Sequence, residues 1–160
     1  GYGVGSRSLM RILGKVLLPY HVNAFSLLTA EIVYKNKQLF VERTNQIIAE
    51  REKMRTALSE LGFKVWDSAT NFLMFAAQPE LAVKLSKFGE NEGLVTESGT
   101  ARKLAGQTVF RFLANKKILA RDFTRNPALE GGIRLTLGTP EENIIILATI
   151  KEVGKNAGGI

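Results

Sequence analysis

Apolar residues in the first third of the chain recur at intervals typical of helices. One helix is predicted after Ser6, which we expect to cap its N-terminus, and Pro19 would end it. A second helix is predicted over Ala24–Tyr34. After a polar interruption, a long amphipathic helix is predicted to run to about Leu61, with Gly62 as its C-terminal cap.

The middle of the chain has shorter apolar patterns. Phe63–Trp66 alternates as in a strand, and the apolar run Phe72–Phe75 is short enough for a buried strand. Helices are predicted over Pro79–Leu85 and Val109–Asn115. We expect Gly89–Gly106, which is rich in Gly, Glu, Ser and Thr, to form a loop or a partly mobile insertion.

The C-terminal third contains two further predicted strands. One spans Ile118–Arg121, and an irregular loop then covers Thr124–Gly132. Over Ile133–Leu137 the apolar residues alternate with Arg134 and Thr136, as in a half-buried strand. Arg134 and Thr136 are therefore expected on the face opposite to the apolar side chains.

The last helix has a strong start pattern in the sequence. Thr139 is expected to cap it, Pro140 to take the first helical position and Glu142 to complete a capping box. Gly154 would end this helix, and residues 155–160 would form a frayed tail.

These elements predict an α+β fold, with a short sheet packed with helices and approached by one long helix. Residues 1–35, which include a short strand expected at Tyr2–Gly5, are interpreted as the remnant of a larger domain. Residues 36–154 are predicted to form one small domain that includes the long helix, followed by the tail at 155–160.

Composition narrows the class of protein. Apolar residues make up 45% of the chain, which argues against disorder. The absence of cysteine rules out a disulfide framework and a thiolate metal site, and favours a reducing cytoplasm. Because His21 is the single histidine, we expect no multi-histidine metal site. No apolar run reaches membrane-spanning length.

The formal net charge of +7 suits an anionic partner. Basic and acidic residues are interleaved, as in Glu50-Arg51-Glu52-Lys53, which is typical of solvated helix faces. Because no dense basic run and no RNA-binding aromatic motif occurs, we expect a small anionic molecule as the partner, and neither nucleic acid nor a membrane.

Arg134 is the strongest candidate for binding chemistry. An arginine on a strand backed by a packed sheet can bind a carboxylate through two parallel hydrogen bonds. Arg121, beside Asp122 at the end of another predicted strand, could help to bind a phosphate or a carboxylate. For both arginines, spacing alone favours a salt bridge, a contact across the sheet or plain exposure. Arg125 is expected to be solvated.

Other polar candidates lie in the predicted loop Pro19–Asn23 and near residue 71. His21 could act as a general base, but no partnered nucleophile is identifiable, so we expect a structural or exposed side chain. Loop packing is favoured for Tyr20 and Asn23, and a turn role for Asn71.

Several segments, in order along the chain, resemble histidinol-phosphate aminotransferases. The most specific is Gly132-Ile133-Arg134-Leu135-Thr136-Leu137-Gly138-Thr139-Pro140-Glu141-Glu142-Asn143, which resembles their C-terminal signature. The other matching segments are Gly1-Tyr2, Pro19-Tyr20-His21-Val22-Asn23, Arg51-Glu52-Lys53-Met54-Arg55, Leu58-Ser59-Glu60-Leu61-Gly62-Phe63, Ser68-Ala69-Thr70-Asn71-Phe72-Leu73 and Arg121-Asp122-Phe123.

The resemblance implies the small C-terminal domain of a fold-type I enzyme that uses pyridoxal phosphate and is usually a homodimer. Such an enzyme transfers an amino group between glutamate and imidazole-acetol phosphate, and makes L-histidinol phosphate in histidine biosynthesis. Arg134 matches the family arginine that holds the substrate's carboxylate, or the phosphate of the alternative substrate. Arg121 matches a second arginine that binds the substrate's anionic end.

Two departures from the family pattern bear on activity. The family's cofactor lysine lies in a Ser-x-Lys segment just before the point that matches Gly1. We therefore expect no catalytic and no cofactor-binding residue in this chain, and no activity from it alone. The stretch from about Gly89 to Lys103 is interpreted as an insertion relative to compact family members.

Alternative functions stay open. The chain could belong to another aminotransferase, or to a threonine-phosphate decarboxylase of similar fold. It could also be a non-catalytic domain that recognises anions through Arg121 and Arg134. A nucleic-acid role rests on charge alone and ranks last.

Overall fold

The structure is a computed structural model that describes residues 3–158. The chain divides between Arg43 and Thr44 into an N-terminal unit and a C-terminal unit. Helices and a four-stranded sheet together make an α+β fold, which confirms the predicted class.

The N-terminal unit contains helices α1 (Arg7–Gly14) and α2 (Ala24–Lys35) and the start of α3 (Lys37–Glu60). Ser6 caps α1, as predicted, because its hydroxyl accepts a hydrogen bond from the Leu9 amide. Helix α1 ends at Gly14, earlier than Pro19. Glycine has a much lower helix propensity than its neighbours, which favours this earlier end.

The predicted strand at the N-terminus is wrong where the structure describes it. Residues 3–5 belong to no strand or helix, and Tyr2 lies outside the described residues. The apolar side chains of α1 and α2 are largely exposed in this unit; Phe25, for example, is 84% exposed.

The C-terminal unit is built on one antiparallel sheet. Its strands are β1 (Phe63–Val65), β2 (Phe72–Ala77), β3 (Arg121–Phe123) and β4 (Gly132–Thr136), in the spatial order β1-β2-β4-β3. The two central strands pair with Phe72 opposite Thr136 and Met74 opposite Arg134. Gly62, at a φ of +83°, ends the long helix and turns the chain into β1, as predicted.

Helices cover one face of this sheet. They are the second half of α3, α4 (Pro79–Asn91), α5 (Ala101–Asn115) and α6 (Pro140–Asn156). Their apolar residues and the inward side chains of the strands form one core. Its largest fully buried members are Phe63, Phe75, Met54, Leu58, Leu73, Leu85, Leu113, Ile133, Leu135, Ile150, Val109 and Val153. The central strands are therefore apolar on the helix side, and the other face of the sheet, here called the outer face, carries the polar residues Lys64, Arg121, Arg134 and Thr136.

The predicted loop over Gly89–Gly106 is wrong. Helix α4 continues to Asn91 and α5 begins at Ala101, so only residues 92–100 connect them. Gly89 and Gly106 are helical, and both lie where a side chain would collide with a neighbour. A Cβ on Gly89 would overlap the Thr108 side chain, and one on Gly106 would approach the Gly131 carbonyl oxygen to 2.5 Å. These glycines permit close packing and do not mark a loop.

Two other predicted boundaries also shift. Strand β3 covers Arg121–Phe123 and not Ile118–Arg121. Lys117 has a φ of +62°, and the Ile118 amide donates to the Leu113 carbonyl oxygen, so residue 118 still belongs to the helix terminus. At the end of the chain, α6 runs past Gly154 to Asn156.

Candidate functional site

The side chain of Arg134 projects from the outer face of the sheet. Its neighbours on β4, Ile133 and Leu135, are each 1% exposed in the core, whereas Arg134 is half-buried and Thr136 is exposed. This alternation places the arginine on the face opposite to the apolar residues, as the sequence predicted.

The sheet register brings the second candidate arginine to the same place. Arg121 on β3 lies directly opposite Arg134 on β4. Because directly paired residues of adjacent strands share a face, both arginines belong to the outer face. Two like charges at paired positions repel each other, and an anion bound between them would remove that repulsion.

Two aromatic rings flank the Arg134 guanidinium. Its central carbon lies 4.8 Å from the centroid of the Phe72 ring and 5.9 Å from that of Phe123. Both distances fall in the range of cation–π attraction. The rings come from β2 and β3, the strands on either side of β4.

Neither arginine side chain forms an ion pair or a hydrogen bond within the described part of the chain. The local pair of Arg121 with Asp122, which the sequence left open, is absent there. The Asp122 carboxylate instead accepts a hydrogen bond from the Thr124 amide at 2.7 Å. The N–H donors of both arginines are therefore available to a ligand.

The turn after β4 is fixed to the long helix by a buried polar network that the sequence did not predict. Asn143 is 3% exposed; its amide oxygen accepts from the Gly138 amide at 3.0 Å, and its amide nitrogen donates to Glu50 at 3.1 Å. Glu50 also accepts from Lys53 at 2.8 Å. Hydrogen bonds from Lys53 and then Asn143 lower the pKa of the Glu50 carboxyl below its usual value.

The capping box next to this network is confirmed. The Glu142 amide donates to the Thr139 hydroxyl, and the Thr139 amide donates to the Glu142 carboxylate at 2.8 Å. The backbone from Arg134 into α6 is thus held at Gly138 and at Thr139 by side chains of the same helix. No sequence pattern pointed to Glu50, because its partner Asn143 is distant in sequence.

The remaining polar candidates have local contacts. His21 is exposed with its Nδ1 3.1 Å from the Leu18 carbonyl oxygen, and Asn23 caps α2 by accepting from the Ser26 amide. The Asn71 carbonyl oxygen accepts from the Leu137 amide at 2.9 Å, which ties the turn before β2 to the end of β4. The Arg125 side chain is 70% exposed, as expected, and its guanidinium is paired with the Glu97 carboxylate.

Within residues 3–158, no cluster of three or more His, Asp or Glu side chains is arranged to hold a metal ion. The helices of this described range include none that is both long and apolar enough to span a membrane.

The described residues do not fit the covalent attachment of an aldehyde cofactor. Such attachment needs a lysine whose amine is neutral, which burial or a nearby cation brings about. Every lysine here is exposed except Lys103, which is half-buried and lies 3.4 Å from the Glu97 carboxylate. Its amine is therefore engaged in an ion pair. What the described residues do form is a pair of arginines, Arg121 and Arg134, at directly paired positions on the outer face of the sheet.

Comparison with known proteins agrees with the fold. The chain is 33% identical over 153 residues to histidinol-phosphate aminotransferase 1 of Carboxydothermus hydrogenoformans, and the match covers 96% of this chain and 36% of that protein. It is 32% identical to histidinol-phosphate aminotransferase 1 of Nostoc sp., again over 96% of the chain and 36% of the relative. The chain thus spans about a third of the length of these curated relatives.

A solved structure has the same fold. A protein from Burkholderia pseudomallei, assigned as an aminotransferase, superposes with a TM-score of 0.66 at 22% identity, over 92% of this chain and 37% of that one. The family model "Aminotransferase class I and II" matches residues 1–150, nearly the whole sequence. The chain therefore belongs to the class I and II aminotransferases, a family that depends on pyridoxal phosphate.

Proposed function

We propose that this chain supplies the substrate-anion contacts of a pyridoxal-phosphate aminotransferase. The observation that carries the proposal is the direct pairing of Arg121 with Arg134 on the outer face of the sheet, with neither side chain paired to an acid in the described residues. In this proposal residues 1–35 belong to a larger domain, and residues 36–154 form the small domain that carries both arginines.

The proposed substrates are glutamate or 2-oxoglutarate on one side and imidazole-acetol phosphate or L-histidinol phosphate on the other. Relatives over most of this chain are named histidinol-phosphate aminotransferases, which supports this choice. Each substrate carries a carboxylate or a phosphate, and the planar guanidinium of arginine can bind either through two parallel hydrogen bonds. We propose that the cofactor and its lysine lie outside the described residues. We also propose that the active form is a cytoplasmic homodimer.

The two arginines have distinct roles in this account. Arg134, half-buried on a central strand, binds the carboxylate or phosphate directly, and Arg121, exposed on the edge strand β3, adds a second positive charge to the same anion. An anion between them offsets their mutual repulsion. Binding energy gained at this remote group would orient the reacting end of the substrate.

The test is steady-state kinetics of the full-length pyridoxal-phosphate enzyme with Arg134→Ala and Arg134→Lys. We expect kcat/KM for L-histidinol phosphate to fall by about 10- to 100-fold in the alanine variant, since a hydrogen bond to a charged group contributes about 1.5–3 kcal/mol. Lysine should restore only part of the loss, because it cannot bind bidentately.

Arg125→Ala is the matched control, because Arg125 is an exposed arginine whose partner is Glu97. It should leave kcat/KM unchanged. Unchanged kinetics in Arg134→Ala would contradict the role of this arginine. A strong preference of the intact enzyme for phenylpyruvate over imidazole-acetol phosphate would contradict the proposed substrate.

A second candidate is a non-catalytic anion-binding domain, which the exposure of the lysines favours. It predicts that calorimetric titration with phosphate esters gives heat that depends on Arg121 and Arg134. Amino transfer by the full-length protein in the presence of pyridoxal phosphate would contradict it.

A further inference from the structure

We propose that Phe72 and Phe123 are positioning residues for the anion site: they hold the Arg134 guanidinium on the outer face while leaving its N–H donors to the ligand. This inference rests on the proposed role of Arg134 in binding the substrate's anionic group. It concerns two residues whose side chains carry no hydrogen-bonding group of their own.

The sheet register explains why both rings reach the same guanidinium. Phe72 is paired with Thr136, and Phe123 is paired with Gly132. Each ring is therefore a diagonal neighbour of Arg134, one toward each end of β4. Diagonal neighbours lie within reach of aromatic and long side chains.

The residues opposite the two rings are small. Gly132 has no side chain opposite Phe123, and only a threonine stands opposite Phe72. This leaves room above β4 for both rings to contact the long Arg134 side chain between them, at 4.8 and 5.9 Å from its central carbon.

Aromatic support suits an arginine that has to bind a ligand. A carboxylate partner would occupy the N–H donors and neutralise the charge, whereas a ring attracts the cation through its face and uses no N–H group. Arg134 is half-buried and faces the like charge of Arg121, so it needs such stabilisation when no anion is bound.

The test is a titration of the full 160-residue chain with inorganic phosphate, followed by NMR at the Arg134 Nε–Hε signal. The variants are Phe72→Leu, Phe72→Tyr, Phe123→Leu and Arg134→Ala. Phosphate binding to Arg134→Ala is measured by calorimetry, because this variant lacks the arginine signal. Leucine keeps the apolar volume but removes the ring, so phosphate affinity should fall by about two- to fivefold. Tyrosine keeps the ring and should restore the affinity.

Phe112→Leu is the matched control. Phe112 lies under a lysine, Lys116, at 5.6 Å, but on α5 and away from the two arginines. A purely structural role of the rings would lower the melting temperature without changing phosphate affinity, as we expect for this control.

The outcomes separate the two proposals. Loss of phosphate binding in Arg134→Ala together with full affinity in both leucine variants overturns the positioning role and leaves the arginine role intact. Full affinity in Arg134→Ala overturns both. If Phe72→Leu does not fold, two other variants still decide the question. An unchanged phosphate affinity in Phe123→Leu, on the edge strand, refutes a role for Phe123. A lowered phosphate affinity in Phe72→Tyr refutes support by the ring.

Discussion

At the scale of single residues, the buried side chain of Asn143 fixes the turn that follows the arginine strand. Asn143 uses both ends of its amide: the oxygen accepts from Gly138, and the nitrogen donates to Glu50 and to the Gly138 carbonyl oxygen. This holds the turn that follows the arginine strand. Removing this buried amide lowers stability, because Gly138 and Glu50 each lose a hydrogen bond to it.

We therefore expect Asn143→Ala to lower the free energy of unfolding by about 1–3 kcal/mol, the usual cost of leaving buried polar groups unpaired. Urea denaturation with constant m-value measures it. Asn156→Ala, an exposed asparagine near the end of the same helix, should change the free energy of unfolding far less. Equal losses in both variants would mean that the Glu50–Asn143 contact contributes nothing specific.

Glu50 makes the same network sensitive to pH. Since its pKa is lower in the folded chain than in the unfolded one, its contribution is complete above the ordinary glutamate pKa of about 4.3. That contribution is lost as the pH falls through the lower, folded pKa. The urea concentration at the unfolding midpoint should therefore decrease as the pH is lowered below about 4.3. Glu50→Gln should make this decrease smaller.

The control for this pH series is Glu152→Gln, which removes an exposed partner of Lys116. Surface pairs of this kind contribute little to stability. The Glu152→Gln variant should therefore lose stability at acidic pH to the same extent as the unaltered chain. An acid profile in Glu50→Gln that matches the unaltered chain would contradict the assignment.

At the scale of elements, the sequence predicted what depends on local pattern and missed what depends on packing. The strand around Arg134 and the Thr139 capping box were predictable, because alternation and cap residues are local. The extents of α4 and α5 were not predictable, since Gly89 and Gly106 look like loop residues in the sequence. Only the structure shows that they pack closely against Thr108 and Gly131. A contact between distant segments leaves no periodic pattern.

Gly106→Ala tests this explanation for the helix. The added methyl group would come within 2.5 Å of the Gly131 carbonyl oxygen and 2.7 Å of the Thr124 side chain, so we expect a loss of about 1–3 kcal/mol by overpacking. Gly14→Ala is the control, because nothing lies within 4 Å of its added Cβ. A neutral or stabilising Gly106→Ala, read by thermal denaturation, would refute the close contact.

At the scale of the whole molecule, the candidate site is produced by strand order. Arg121 and Arg134 were each identified from the sequence, but their direct pairing depends on β3 lying next to β4, and on a register that no residue pattern fixes. The roles of Phe72 and Phe123 follow from the same arrangement. The chain spans about a third of its relatives' length, so catalysis itself is a property we propose for the full-length enzyme.

The most direct test of the central claim is a double-mutant cycle on the full-length enzyme with Arg121→Ala and Arg134→Ala. If both arginines bind one anion, each single change should raise the KM for L-histidinol phosphate. The double variant should depart from the product of the two effects by a coupling of about 0.5–3 kcal/mol. Effects that multiply without coupling, or an unchanged KM in either single variant, would contradict a shared anion site.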